Sequence, residues 1–337
     1  MDIANIDFVH TASMYHMISY DDKERLKPLF TPKKVKQGVE TRWIYQYQLS
    51  SGIYLFFYID QCEFIYIKVT LTKISATSVT DRINILYQKL NEVLSPYIDR
   101  FSIEYLILNR IDFKIDVSMN KQLREAYLKQ LNKGYHNYWR KERGDYVSSY
   151  YMRSKSIRIN VYDKRIEALR SKHADPADLA RLGEIEFLRL EIQVLTPHIR
   201  FRFAKYQVPS RLEHYYTISF CLVFFEQYLK PIIQGGDYYQ YSDIERLIKT
   251  KYRKYNVGRR VCQFLIDVQQ FGLDEAKKQN ASRFYAYRSK LEDIGVHPIL
   301  IPRNSRYAFL PNLYDAAIET IHNPQYAISR YVILSNK

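Results

Sequence analysis

Hydrophobic and polar residues alternate through most of the first 200 positions, with aromatic and β-branched side chains prominent. That pattern is typical of strands. It predicts seven of them, over residues 42–49, 53–58, 64–72, 103–117, 146–152, 156–164 and 184–195. Two helices are predicted between strands: one begins near Ser78 and ends at Pro96, and the other covers residues 120–132, because apolar residues recur there at helical spacing.

The pattern changes after Pro197, where apolar residues recur at helical rather than strand spacing. Helices are predicted over residues 216–233, 242–255, 259–271, 274–279 and 281–294. Short apolar pieces at 298–301 and 307–310 are candidates for a small wing. We therefore expect an α+β protein with two domains. Residues 1–200 would hold an antiparallel sheet with helices on its apolar face, and residues 201–337 would form a mainly helical, winged-helix type domain.

Three of the predicted strands share one kind of alternation, in which charged and polar side chains occupy one whole face. In sequence order these faces are Arg110, Asp112, Lys114 and Asp116; Arg158, Asn160, Tyr162 and Lys164; and Arg189, Glu191 and Gln193. Side chains two residues apart lie on the same face of a strand. If the three strands are neighbours in one sheet, the carboxylates lie close to Tyr162 and Lys164.

Such a face could perform phosphoryl transfer. The carboxylates of Asp112, Asp116 and Glu191 are hard oxygen ligands that suit Mg²⁺ or Mn²⁺. A tyrosine beside them could attack a phosphodiester, and Lys164 would stabilise the phosphoryl charge. This requires the Tyr162 hydroxyl within about 10 Å of a carboxylate. The alternative is a solvent-facing antiparallel sheet, in which cross-strand charge pairs alone explain the pattern.

Composition indicates the kind of partner. The chain has 51 Lys and Arg against 36 Asp and Glu, a net charge of +15, and 32 tyrosines. An anionic partner is expected, nucleic acid before a membrane surface, because rings stack on unpaired bases while cations hold the backbone. The apolar run at 217–225 is too short to span a bilayer. The first ten residues lack the pattern of a signal peptide, and the three cysteines form no CxxC pair, so we expect a cytoplasmic protein without a disulfide framework.

Basic side chains recur in the second half of the chain and on the three strand faces. The candidate DNA contacts are Arg110, Lys114, Arg158, Arg189, Lys249, Lys251, Arg253, Lys254, Arg259, Arg260, Arg283 and Arg288. The run from 249 to 260 contains six cations, two tyrosines and no acid, which favours contact with a DNA backbone. Around Arg283 the reading stays open, because Phe284, Tyr287 and Leu291 could equally be the core stripe of that helix.

Three segments of the chain resemble those of one protein family. They are LNRIDFKIDV, SKSIRINVYDKRIEAL and LRLEIQVL, which carry Arg110/Asp112/Asp116, Tyr162/Lys164/Glu167 and Arg189/Glu191. In order and spacing they resemble the motifs of rolling-circle replication initiators, in particular the gene II/X type of filamentous phages and the related plasmid initiators and relaxases. The resemblance covers about residues 100–195.

The resemblance implies a nickase that cuts one strand of an origin and remains joined to the 5′ phosphate through a tyrosine. Tyr162 would be the nucleophile and Lys164 its electrostatic partner. Asp112, Asp116 and Glu191 would hold Mg²⁺ or Mn²⁺, since the histidine pair of the HUH endonucleases is absent. Tyr146, Tyr150 and Tyr151 are rival nucleophiles. Single-stranded or hairpin origin DNA is the expected partner and a host helicase a further candidate; no membrane partner is expected. The alternatives are a non-catalytic DNA-binding initiator or repressor and a metal-dependent nuclease that uses water.

Overall fold

The structure is a computed structural model that describes residues 7–37, 40–59, 63–134, 140–141, 148–170, 180, 186–252, 255–279, 281–323 and 326–334. The chain is a mixed α+β protein that divides into two compact units interleaved in sequence. Unit 1 comprises Met1–Lys114, Lys155–Arg158 and Gln193–Leu222; unit 2 comprises Ile115–Ser154, Ile159–Ile192 and Val223–Lys337. The predicted domains, residues 1–200 and 201–337, rest on a change of sequence pattern, and the compact units have other bounds.

Ten strands form one large sheet and three short ones form another. The strands are β1 (Val9–Met17), β2 (Thr31–Gln37), β3 (Glu40–Ser50), β4 (Ile53–Tyr58), β5 (Phe64–Thr70), β6 (Ile107–Ser118), β7 (Arg140–Lys141), β8 (Ser149–Arg153), β9 (Ile157–Asp163), β10 (Phe187–Leu195), β11 (Tyr238–Tyr239), β12 (Tyr307–Leu310) and β13 (Ile333–Leu334). The large sheet has the order β2-β3-β4-β5-β1-β6-β10-β9-β8-β7, and the small sheet has the order β11-β12-β13. Neighbouring strands are antiparallel in the stretch β2-β3-β4-β5-β1-β6 and in the pair β7–β8.

The α-helices lie between the strands of the large sheet and after them. They are α1 (Tyr20–Leu26), α2 (Val79–Leu94), α3 (Lys121–Leu131), α4 (Lys164–Arg170), α5 (Thr196–Tyr206), α6 (Leu212–Tyr215), α7 (Ile218–Phe224), α8 (Lys230–Ile233), α9 (Tyr241–Lys251), α10 (Tyr255–Phe271), α11 (Leu273–Gln279), α12 (Phe284–Glu292) and α13 (Leu313–His322). A π-helical turn, Phe225–Leu229, joins α7 to α8. Within the described residues, no helix is both long enough and apolar enough to cross a bilayer.

In unit 1 the strict alternation of β4 separates two faces of the sheet. Ile53, Leu55 and Phe57 are fully buried, and the register places Ile53 and Leu55 opposite Val69 and Ile67 of β5, which are equally buried. Helix α2 begins where Ser78 accepts a hydrogen bond from the Asp81 amide, and its apolar stripe is buried. These residues form the core of the unit.

The other face of the same strands is aromatic and half-buried. Phe56 stacks on Tyr66 with a centroid separation of 5.3 Å, and Tyr15 lies 6.3 Å from Tyr66 on the next strand. The register β4–β5–β1 brings these rings into one row, because opposed residues on neighbouring strands share a face. Much of the tyrosine content of this half therefore serves cross-strand packing.

In unit 2 the helices after residue 223 surround a small apolar core. Phe264, Phe284 and Leu291 are buried, and the ring centroids of Phe264 and Phe284 are 5.7 Å apart. Gly236 has a φ of +90° and lies so close to Val296 that an added Cβ would be 2.5 Å from its carbonyl carbon, so only glycine fits there. This glycine ends the long apolar helical segment before β11 begins.

Most of the predicted elements are confirmed, with bounds that differ by a few residues. Strands β3 to β6 and β8 to β10 and helices α2, α3 and α9 to α12 all coincide with predicted segments. The prediction omitted the strands β1, β2, β7, β11 and β13 and the helices α1, α5, α6 and α13. The turn predicted at residues 60–62 lies outside the described residues. Of the candidate wing, residues 307–310 do form a strand of the small sheet, whereas 298–301 contribute an isolated bridge to Gln240.

Candidate active site

Tyr162 and Glu191 face each other across neighbouring strands of unit 2. The three strands with polar faces are adjacent in the sheet in the order β6-β10-β9, as the pattern required. The Tyr162 hydroxyl donates a hydrogen bond of 3.0 Å to Glu191 Oε2, and the Asn160 amide donates one of 2.9 Å to Glu191 Oε1. Tyr162 is 7% and Glu191 4% exposed. The tyrosine and a carboxylate thus meet far inside the expected limit of about 10 Å.

Asp116 and Arg189 form the second part of this polar face. Arg189 Nε and Nη2 donate to the two carboxylate oxygens of Asp116 at 2.6 and 2.8 Å, a bidentate pair between β10 and β6. Burial alone would lower the pKa of Arg189, but the charge and hydrogen bonds of Asp116 outweigh it and raise that pKa. Arg189 is therefore a buried cation of the polar face that is held in place by Asp116, with only 5% of its surface exposed.

The phenol of Tyr162 is held in its neutral form. Burial raises its pKa well above the ordinary value of 10, and the negative charge of Glu191 raises it further, while the positive charge of Arg189 opposes both. A phenol that donates to a carboxylate keeps its proton until a base takes it. Glu191 is placed to be that base, because its Oε2 already accepts the hydrogen bond.

The end of β9 is fixed by a buried ion pair that sequence reasoning did not single out. Arg124 of α3 donates to Asp163 at 2.6 Å, and both side chains are 2% exposed. The other oxygen of Asp163 accepts from the amides of Arg165 and Ile166 and so caps α4. An aspartate directly before a helical stretch is a capping signal that the sequence offered, whereas nothing in the sequence marks Arg124 as its partner.

Lys164, the predicted electrostatic partner, begins α4 directly after this cap. Its ammonium lies 2.5 Å from Glu167 one turn later, and its side chain is 22% exposed. Glu167 and Tyr162 both line a cavity of about 300 Å³. The cavity is bounded by Ser148, Ser149, Tyr151, Tyr162, Asp163, Ile166, Glu167 and Arg170. The tyrosine therefore lies at a space that a small part of a substrate can enter.

The rival tyrosines differ in their surroundings. Tyr150 is 1% exposed, and burial raises its pKa well above the ordinary value, so it is a core residue. Tyr151 is half-buried and lines the same cavity as Tyr162. Tyr146 lies outside the described residues. Tyr151 is thus the rival that an experiment has to separate from Tyr162.

The predicted metal ligands are already engaged by protein donors. Asp112, in unit 1, accepts hydrogen bonds from Arg110 Nε at 2.7 Å and Nη2 at 2.6 Å. Asp116 accepts hydrogen bonds from Arg189. Glu191 accepts them from Tyr162 and Asn160. In the part of the chain that the structure describes, no three His, Cys, Asp or Glu residues are grouped to hold an ion. Paired in this way the carboxylates do not fit a three-carboxylate Mg²⁺ or Mn²⁺ site, since a guanidinium would have to leave first.

The cations predicted on the strand faces are partly tied to carboxylates. Arg110, with 33% of its side chain exposed, is paired with Asp112, and Arg189 is buried on Asp116. Lys114 and Arg158 are intermediate in exposure. A buried guanidinium held by a carboxylate suits positioning within the sheet better than contact with a surface phosphate.

The cations predicted after residue 197 lie mainly on the surface of unit 2. Lys251, Arg259, Arg260 and Arg283 are exposed, and Lys249 is exposed but paired with Glu245 at 2.9 Å. Arg288 is partly buried, with its guanidinium 5.8 Å from the Phe284 ring. Arg253 and Lys254 lie outside the described residues.

The structure shows which side of α12 is buried and what Tyr252 contacts. Phe284, Tyr287 and Leu291 are buried and form the core stripe of α12, which leaves Arg283 and Tyr285 on its exposed side. Tyr252, one of the two tyrosines in the basic run from 249 to 260, donates a hydrogen bond from its hydroxyl to the Lys290 carbonyl. Its ring also lies under the Lys290 ammonium at 5.3 Å, so Tyr252 joins α9 to α12.

No protein-family model and no curated protein matches the chain in sequence. The arrangement of side chains described above therefore carries the functional argument.

Proposed function

We propose that the protein is a DNA strand transferase that initiates rolling-circle replication by nicking one strand of an origin, with Tyr162 as the nucleophile. The single observation that supports this most is the hydrogen bond of 3.0 Å from the hydroxyl of Tyr162, a residue that lines the cavity of about 300 Å³, to Glu191. The exposed cations of α9 and α10, together with Arg283 directly before α12, are the proposed contacts to the DNA backbone.

In the proposed reaction the Tyr162 oxygen attacks the phosphorus of a phosphodiester as its proton passes to Glu191. A bond forms between the Tyr162 oxygen and the phosphate at the 5′ end of the downstream fragment, and the bond from that phosphate to the 3′ oxygen of the upstream fragment breaks. The proton is returned to the departing 3′ oxygen, so that the overall exchange neither gains nor loses an atom. Arg189, 5% exposed on its Asp116 partner, holds positive charge near the phenolate that develops.

No step of this proposal passes through a metal ion, because the paired carboxylates do not fit one. Mg²⁺ and Mn²⁺ stay predictions of the sequence and enter the experiment as variables. Lys164 is a second proposed source of charge stabilisation, and its use requires that it leave Glu167 for the phosphoryl group.

A second function has one specific observation in its favour. Glu191 accepts from both Tyr162 and Asn160, so the cluster is also a satisfied buried network of the kind that merely fixes a sheet. With the exposed cations of unit 2, that would suit a DNA-binding initiator or repressor without catalysis.

The test uses a library of hairpin-bearing single-stranded DNA labelled at the 3′ end, because the proposed bond is to the 5′ phosphate of the labelled fragment. The full chain is incubated with EDTA, Mg²⁺ or Mn²⁺, and adducts that survive denaturation are resolved on a gel. The Tyr162→Phe variant is compared with Tyr151→Phe, its matched control in the same cavity.

An adduct that Tyr162→Phe abolishes and Tyr151→Phe retains would support the proposal. The reverse result would move the nucleophile to Tyr151. Cleavage without an adduct would indicate hydrolysis by water. DNA binding without cleavage in any of the three conditions would favour the non-catalytic function.

A further inference from the structure

Helix α5 (Thr196–Tyr206) exposes an unusual amount of aromatic surface. It buries only His198 and Ile199, while Phe201, Phe203 and Tyr206 are 48%, 53% and 54% exposed. Three large rings in eleven residues are left in contact with water, although burial of each would favour folding. Exposed apolar surface concentrated in this way marks an interaction site.

The same helix is strongly cationic. Its sequence, TPHIRFRFAKY, contains Arg200, Arg202 and Lys205 and no acidic residue. The Lys205 ammonium lies 5.5 Å from the centroid of Phe201 and 5.1 Å from that of Tyr206. Arg202 lies 5.3 Å from the Phe220 ring of α7. Lys205 and Arg202 are therefore each held next to a ring, where they can meet a negative charge carried by whatever stacks there.

Rings and cations alternate around the helix rather than occupying separate sides. With about 100° between successive residues, the exposed arc reads Phe203, Arg200, Ala204, Phe201, Lys205. A helix that lies in a membrane surface needs its apolar side separated from its cationic side. A helix that docks on an apolar protein groove needs a continuous apolar stripe. This arc has neither.

Single-stranded nucleic acid presents the matching chemistry, since flat bases alternate along it with phosphates. Duplex DNA offers phosphates but keeps its base faces stacked and inaccessible to rings. We infer that α5 is a stacking platform for single-stranded DNA, with Phe201 and Phe203 beneath bases and Arg200 and Lys205 at the phosphates. This inference concerns binding alone and does not rest on the chemistry of Tyr162.

The experiment measures binding of fluorescein-labelled dT20 and of a duplex of the same length by fluorescence anisotropy. The full chain carries Tyr162→Phe throughout, so that no strand can be cut. On this background we compare Phe201→Ala/Phe203→Ala and Arg200→Ala/Lys205→Ala with Tyr105→Ala. Tyr105, which is 63% exposed in the same unit but outside α5, is the matched control for loss of an exposed ring.

The aromatic double variant should bind dT20 at least about 10-fold more weakly, while its duplex binding stays within about twofold. The double cation variant should reduce the slope of log affinity against log salt by about 1.4, and Tyr105→Ala should change neither. Unaltered dT20 binding in the aromatic variant would overturn the inference, and so would an equal loss for duplex DNA. Flotation with phosphatidylserine vesicles that depends on Phe201 and Phe203, with dT20 binding intact, would assign α5 to membranes instead.

Discussion

The Tyr162 hydroxyl donates its hydrogen bond to Glu191 Oε2 across the β9–β10 pair, at 3.0 Å, with both side chains almost wholly buried. A buried phenol beside a carboxylate is difficult to ionise, so in the proposed reaction the two residues act as a unit: the phenolate of Tyr162 forms only as Glu191 accepts the proton.

Replacing Glu191 with glutamine should slow adduct formation by about 10² to 10⁴-fold, because the amide keeps a hydrogen-bond acceptor but accepts no proton. The measurement is the single-turnover rate of adduct formation with the 3′-labelled DNA. Affinity for the same DNA should stay within about twofold. Glu186→Gln, at an exposed glutamate just before β10, is the control and should react at the wild-type rate. Equal rates for Glu191→Gln and wild type would remove Glu191 from the reaction.

Arg189 should matter to the reaction beyond its contribution to stability. Arg189→Met removes the bidentate partner of Asp116 and a charge that lowers the pKa of Tyr162, so the protein should be less stable and the phenol harder to ionise. The double variant Arg189→Met/Asp116→Leu should recover much of the thermal stability, because it removes both charges of this pair together. Its adduct rate should remain about 10² to 10³-fold low. Recovery of rate together with stability would make Arg189 purely structural.

The sequence predicted which side chains share the polar face of this site, but not which of them pair with one another. Alternation identified β6, β9 and β10 and the side on which Tyr162 and Glu191 lie, because side-chain direction in a strand depends only on parity. The pairing of Arg189 with Asp116 depends on the register of strands about 70 positions apart, as the separation of 73 shows, and no local pattern contains it. The metal role of the carboxylates stays a prediction of the sequence, to which the fold adds that Asp112 and Asp116 are each paired with an arginine.

The omitted elements have similar reasons. In β1 the polar residues Thr11 and His16 are buried, so apolar alternation is weak. In α5 the rings and cations alternate, so the sequence lacks the apolar stripe that would predict a helix. Both cases show tertiary structure burying polar residues or exposing apolar ones, against the preference that sequence reasoning relies on.

The buried pair of Arg124 and Asp163 should be one of the costliest to break. Arg124→Met would leave the Asp163 carboxylate uncompensated at 2% exposure, which we expect to lower the free energy of unfolding by about 3–5 kcal/mol. Adding Asp163→Asn should recover part of the loss, since asparagine still caps α4 and carries no charge. Urea denaturation measures both. Lys278→Ala breaks an exposed pair and should leave the midpoint unchanged; a double variant as unstable as Arg124→Met would contradict the argument.

Acid should destabilise the protein through His297, which is 1% exposed. Its Nε2 donates to the Ile233 carbonyl at 2.8 Å, and its Nδ1 accepts from the Ile299 amide at 3.0 Å, so the fold holds the neutral ring. Burial lowers the pKa of His297 to about 4, against 6.5 for a free side chain. Below pH 6.5 the His297 side chain therefore binds a proton in the unfolded chain, whereas in the folded chain it stays neutral until the pH falls to about 4.

This residue's contribution to stability is present above pH 6.5 and is lost as the pH falls towards 4, by up to about 1.4 kcal/mol per pH unit. Urea denaturation at pH 7.5, 6, 5 and 4 should show a steeper loss for the wild type than for His297→Gln. His198, whose pKa burial also lowers to about 4, is present in both proteins and cancels from the difference. Parallel profiles for the two proteins would show that His297 titrates normally in the fold.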